Sequence, residues 1–226
     1  MNKIRQMIPW TMAAGRALLG PMVILGDRCG WSGLTLAAMV VAALLSDIFD
    51  GILARRWHVD TAAVRLFDSI CDTVFYFSTG AALFLFQPHL LRGNLALLYV
   101  LLAAEAANYA LNIAKFGRPA SYHSYLAKAW GLVLAAAIVT GLAAGHAFWL
   151  LRIALLMGIA SNAETIAMSL LLPAWHRDVK HLGHALRLRK DLQAKCGEAA
   201  ARPAGVMETM WRSTVVALCA AGRTAV

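Results

Sequence analysis

Four of the five aspartates in the stretch 47–72, Asp47, Asp50, Asp68 and Asp72, recur at helical spacing in a chain that has only 12 acids in all. On an α-helix Asp47, Asp50, Gly51 and Ala54 share one face, and Asp68 and Asp72 stand one turn apart. Two acids on each of two helix ends make an oxygen-rich pocket suited to Mg²⁺ or Mn²⁺. Carboxylates packed that closely repel unless cations neutralise them. Gly51 and Ala54 leave room for a ligand to approach the backbone, and Arg55 at the rim is placed to meet a phosphate. The residues alone therefore point to a metal–phosphate site. A blander reading is that these acids only mark where helices leave a membrane. That reading suits one or two acids better than four on matched faces beside Gly, Ala and Arg.

The elements that must hold these acids are apolar. The chain has 226 residues, 60% of them hydrophobic, and a mean hydropathy of +0.63. That is a multi-span membrane composition, not a soluble one. Spanning runs occur at roughly 8–26, 31–54, 66–88, 94–114, 125–145 and 147–173, so an all-α bundle of about six transmembrane helices is expected. The first run has no A-x-A end and is expected to stay as a helix. Lys3, Arg5, Arg55, Arg56, Arg65, Lys115 and Arg118 fall on one set of loops with the basic tail. The alternate loops offer Arg28 and Arg92. The positive-inside rule then puts both termini and all four acids on the cytosolic side. A net charge of +9 fits basic loops facing anionic lipid or phosphate, and nucleic acid is not expected as a partner. Cys29, Cys71, Cys196 and Cys219 show no metal spacing.

The stretch resembles the signature of the CDP-alcohol phosphatidyltransferases, D-x-x-D-G-x-x-A-R-x8-G-x-x-x-D-x-x-x-D. Asp47, Asp50, Gly51, Ala54, Arg55, Asp68 and Asp72 match it in type and spacing, and Ile8-Pro9 followed by Arg16 and Pro21 looks like the family's first helix. One position departs: Val64 stands where the family has a glycine beside the cytidine nucleotide. The resemblance implies transfer of the phosphatidyl group from CDP-diacylglycerol to an alcohol, with release of CMP. It implies Mg²⁺ or Mn²⁺ on Asp47, Asp50, Asp68 and Asp72, with Asp72 as the base. It also implies Gly51, Ala54 and Arg55 against the CDP, a homodimer, and a multi-pass protein of the inner (cytoplasmic) membrane. Diacylglycerol and cytidine come from the resemblance and not from the spacing.

Other polar residues stay open. Lys115, Arg118 and Lys128, between the fourth and fifth runs, are candidates for an acceptor phosphate such as that of glycerol 3-phosphate; ordinary positive-inside charge explains them equally well. Tyr122, His123 and Tyr125 add hydrogen-bonding groups there. Glu105, Asn108 and Asn112 form one helix face, and Ser161, Asn162, Glu164 and Thr165 another. Interhelical hydrogen bonds are the favoured reading for both, ahead of an acceptor pocket. Arg16, mid-helix, is expected to pair with an acid. Six tryptophans, Trp130 among them, are expected to form an interfacial belt. The chain divides into a membrane domain over 1–175 and a basic cytosolic tail over 176–226. Arg177–Asp191 is either an amphipathic surface helix or solvated. Residues 197–206 read as a linker, and Met207–Ala221 is too interrupted to span. Two other functions compete. A membrane prenyltransferase would need two separate Asp motifs and more helices. A channel, transporter or degenerate non-catalytic homologue would be compatible with Val64, but would have no reason to keep four mutually repelling acids.

Overall fold

The computed structural model describes residues 3–57, 59, 61–122 and 124–201. Eight helices make up the described residues: α1 (Lys3–Arg28), α2 (Gly33–Arg56), α3 (Ala62–Phe86), α4 (Pro88–Arg92), α5 (Leu95–Phe116), α6 (Tyr125–Ala144), α7 (Phe148–Leu171) and α8 (Leu182–Ala201). Six of them, α1, α2, α3, α5, α6 and α7, are long and apolar enough to cross a membrane. The chain is a multi-pass membrane protein, and its spans coincide with the expected runs. No strand occurs among the described residues beyond one isolated bridge, Ser121 to Arg177. All-helical architecture follows from the solvent: within hydrocarbon every backbone N–H and C=O must be satisfied inside its own segment. Leu18, Leu34, Phe77 and Trp149 are exposed on the helices, as lipid-facing surfaces require.

The chain forms two compact units. One comprises Met1–Ala96 with Leu132–Ala154, the other Leu97–Gly131 with Leu155–Val226.

In the first unit α1 packs on α3 and α2. Its buried stripe is Pro9, Ala13, Arg16, Gly20 and Val23, a seam of three- and four-residue steps. Gly20 is the close-approach point: a Cβ there would lie 2.9 Å from Ser78 Cβ and 3.1 Å from Phe75 Cα. The missing side chain lets α1 lie against α3 one turn beyond Arg16. The seam of α2 runs through Leu36, Val40 and Ala43 and continues to Asp47 and Asp50; that of α3 runs back from Leu83 through Thr79 and Phe75 to Asp72 and Asp68. The acids thus end two buried stripes. The short link after α2 brings those ends together, and Thr61 caps α3 by accepting from the Val64 N–H at 3.3 Å. Isolated polar side chains are satisfied within their own helices, as where Thr79 Oγ1 donates to Phe75 O at 2.9 Å.

In the second unit α5 and the latter part of α7 are tied by a polar ladder. Asn162 Nδ2 donates to Glu105 Oε1 (3.1 Å) and Asn108 Nδ2 to Asn162 Oδ1 (3.1 Å). Asn112 Nδ2 donates to Asn108 Oδ1 (2.9 Å), and Ser169 Oγ to Asn112 Oδ1 (2.9 Å). The interhelical reading of Glu105, Asn108, Asn112 and Asn162 is the observed one. Trp130 packs against α7: a Cβ on Gly158 would fall 2.7 Å from its Cε2.

Residues 175–188 are not a loose tail. Val179 and Ala185 are fully buried with Met168 and Leu172. α8 also runs through 197–201, where a linker was expected; Glu198, Ala199, Ala200 and Ala201 are good helix formers. Residues 202–206 and Met207–Ala221 lie outside the described residues, as does His123.

Candidate active site

Arg16 is the hub of the four aspartates. Its side chain is 2% exposed in the middle of α1, and an unpaired guanidinium there would be costly. Nη2 pairs with Asp50 Oδ2. Nη1 meets Asp47 Oδ1 at 2.8 Å and Asp68 Oδ1 at 3.2 Å, and also pairs with Asp72 Oδ1. The expected pairing of Arg16 is present, with four partners rather than one. How many converge was not legible in the sequence, because it depends on three helices meeting.

The four acids are not equivalent. Asp50 is buried at 6% side-chain exposure, whereas Asp47, Asp68 and Asp72 are 40, 35 and 32% exposed. Asp50 meets the guanidinium through Oδ2; the other three are also partly exposed. Nη1 has two hydrogens and three carboxylate neighbours, so it cannot satisfy all of them with straight hydrogen bonds. Four carboxylates against one guanidinium leave negative charge in excess. A low-dielectric setting makes such repulsion strong, and protons or further cations must relieve it.

The donor set fits a divalent cation. Asp47, Asp50 and Asp68 each offer a carboxylate oxygen, and these oxygens lie within 4.8 Å of one another. Hard oxygen donors with no imidazole or thiolate suit Mg²⁺, Mn²⁺ or Ca²⁺ rather than Zn²⁺. Asp72 lies outside that trio but shares Arg16 Nη1 with Asp47 and Asp68.

Gly51 follows Asp50 on α2, one turn from Asp47. Ala54 and Arg55 belong to the last turns of the same helix, and their side chains lie outside the described residues. Val64 is half-buried in the first turn of α3. It is helical, so the backbone at this position needs no glycine-only conformation. What distinguishes it from glycine is an isopropyl group on the face that carries Asp68 and Asp72 at the next two turns.

The basic candidates fall in the second unit. Lys115 Nζ donates to Ser169 O (2.9 Å) and Leu170 O (3.1 Å), satisfying carbonyls in the last turn of α7 where a cation also complements the helix dipole. Arg118 is exposed, its guanidinium 5.7 Å from the Trp175 ring centre. Lys128 is exposed in the first turn of α6. Tyr122 OH lies 3.3 Å from Ser169 Oγ, and burial raises its phenol pKa above the ordinary value.

A model of the CDP-alcohol phosphatidyltransferase family matches residues 6–171. No curated protein and no solved structure matches the chain.

Proposed function

The chain belongs to the CDP-alcohol phosphatidyltransferase family, and from that premise we propose that it moves the phosphatidyl group of CDP-diacylglycerol to an alcohol, releasing CMP. Its family is one of phosphotransferases for CDP-alcohol substrates, which points to phospholipid head-group transfer. The observation that carries the finer reading is the convergence of Asp47, Asp50, Asp68 and Asp72 on the single guanidinium of Arg16. A site so rich in negative charge is suited to divalent cations and, with them, to a pyrophosphate.

Asp47, Asp50, Asp68 and Asp72 would hold Mg²⁺ or Mn²⁺. When bound, the metal supplies charge neutralisation of the pyrophosphate and stabilises the departing CMP. Asp72 is the base: it takes the proton of the acceptor hydroxyl as that oxygen bonds to the phosphatidyl phosphorus. The bond from that phosphorus to the CMP oxygen breaks, and CMP leaves with its electron pair. Arg16 holds Asp72 and Asp50 in place through its two Nη groups. Gly51, Ala54 and Arg55 contact the CDP, and Val64 narrows the space beside it. The Lys and Arg distribution supports a site on the cytosolic face of the inner membrane. Homodimerisation is part of the same proposal.

Glycerol 3-phosphate is the favoured acceptor, and Lys115, Arg118 and Lys128 are the candidates for binding a phosphate. Because Lys115 also caps α7, Arg118→Ala with Lys128→Ala is the cleaner variant. It should raise KM for a phosphorylated acceptor and leave KM for CDP-diacylglycerol unchanged; an unchanged acceptor KM would move that site elsewhere.

The whole reading is tested by CMP release from the purified protein with CDP-diacylglycerol, Mg²⁺ or Mn²⁺ and a panel of alcohols. Metal-dependent release with one acceptor supports it and names the acceptor. Silence across the panel, with CDP-diacylglycerol failing to bind, favours the non-catalytic alternative that Val64 allows.

A further inference from the structure

We propose that the strap 175–181 and the first turns of α8 form a recognition element for anionic lipid headgroups, in the leaflet at the C-terminal end of α7. The element lies beyond residue 171, where the family match ends, and does not depend on the transferase reading.

Its height is fixed by packing. Val179 and Ala185, both 0% exposed, are buried against Met168 and Leu172 in the last turn of a membrane-crossing helix and just past it, with Tyr122 and Leu188 packed alongside. Three polar ties hold the strap to the α5–α6 connection. Asp178 N–H donates to Ser121 O (3.1 Å), Tyr125 N–H to Lys180 O (3.1 Å), and Trp175 Nε1–H to Pro119 O (3.1 Å). A solvated tail would not bury its apolar residues in this way. The start of α8 is therefore held at the rim of the membrane.

The faces of α8 say what it meets there. Ala185, Leu188 and Leu192 form the inward stripe. Leu182 and Leu186 sit on a flank and stay 37 and 43% exposed. Arg187 and Lys190 point away from the inward stripe and are exposed, as are Arg177 and Lys180 on the strap. Arg177 extends over the Trp175 ring at 5.6 Å. Between 175 and 191 five basic side chains stand against two acids, Asp178 and Asp191. An apolar flank beside a row of exposed cations is the arrangement of a helix lying in the interface, its leucines toward acyl chains and its cations on phosphates. Charge complementarity selects anionic headgroups, each nearby Lys or Arg adding to the attraction. A free soluble phosphate would use the cations but not Leu182 and Leu186.

The test is hydrogen exchange of residues 175–194 in the full-length protein, in nanodiscs of phosphatidylcholine alone or mixed with phosphatidylglycerol. Exchange of α8 amides should slow at least about fivefold with phosphatidylglycerol. That slowing should vanish in Arg177→Gln/Lys180→Gln/Arg187→Gln/Lys190→Gln and persist in Arg92→Gln. The milder pair Arg187→Gln/Lys190→Gln avoids the inward stripe. It should exchange like wild type in phosphatidylcholine, showing α8 still docked, while losing part of the phosphatidylglycerol effect. Equal exchange in both membranes, or slowing retained in the quadruple variant, overturns the proposal. So does slowing by inorganic phosphate in phosphatidylcholine discs to the same extent, which would make the site one for a free anion.

Discussion

Two polar clusters lie inside apolar helices of this protein, and they are built on opposite principles. The ladder of Glu105, Asn162, Asn108, Asn112 and Ser169 is mostly neutral, and its groups donate to one another at 2.9–3.1 Å. The cluster of Asp47, Asp50, Asp68 and Asp72 gathers like charges around one guanidinium that cannot satisfy them all. The ladder is what holding helices together requires: polar groups paired off within the membrane. The carboxylate cluster is a poor way to hold helices together, since it adds repulsion that packing must overcome. Such excess charge is suited to binding cations. The contrast sets a cluster suited to scaffolding beside one suited to drawing cations, without reference to any relative.

The contrast can be broken first at the acids. Asp72→Asn or Asp68→Asn should reduce CMP release by about 10²–10⁴-fold while the protein still inserts into membranes. Near-wild-type turnover in either would sink the assignment. Next comes the hub. Arg16→Gln leaves four carboxylates with no resident cation and should cost about 3 kcal/mol of stability in chelator, read by thermal unfolding in detergent. Added Mg²⁺ should return part of that loss; equal loss with and without the metal would mean that the cluster does not draw cations.

Val64→Gly is a smaller change on the same face. Removing the isopropyl group beside Asp68 should lower KM for CDP-diacylglycerol by about fivefold, close to 1 kcal/mol of binding, with kcat little altered. An unchanged KM would place the nucleotide away from Val64. The smallest effect is expected in the ladder: Asn162→Leu should cost about 1 kcal/mol of stability and leave the metal dependence of CMP release as it was. A change in that dependence would blur the distinction between the two clusters.

Much of this was readable from residue types. Six spans follow from hydrophobic run length, because a bilayer imposes one length on every crossing helix. The four acids follow from helical spacing and from the short link between α2 and α3. The features that escaped depend on which helices meet. Position 16 reads as a costly charge needing an acid, yet nothing in the chain says that α1 packs between both acid-bearing helices, or that Gly20 permits it. Lys115 reads as a loop cation, but its ammonium turns back to cap the end of α7 at carbonyls more than fifty residues later. Val179 and Ala185 look unremarkable in a basic tail until Met168 and Leu172 are placed beside them. Trp130 reads as interfacial because it lies near a helix end, and its packing against Gly158 shows only once α6 and α7 are placed together.

The excess negative charge around Arg16 would make the four carboxylates there a divalent-cation site. The most direct test is Mn²⁺ binding followed by the loss of the free-ion electron paramagnetic resonance signal, with purified wild type and Asp68→Asn side by side. Saturable loss of signal is expected in the wild type, strengthened by CDP-diacylglycerol and abolished or greatly weakened in Asp68→Asn. Identical titrations for the two proteins would contradict it, leaving the four carboxylates a cluster held by Arg16 alone.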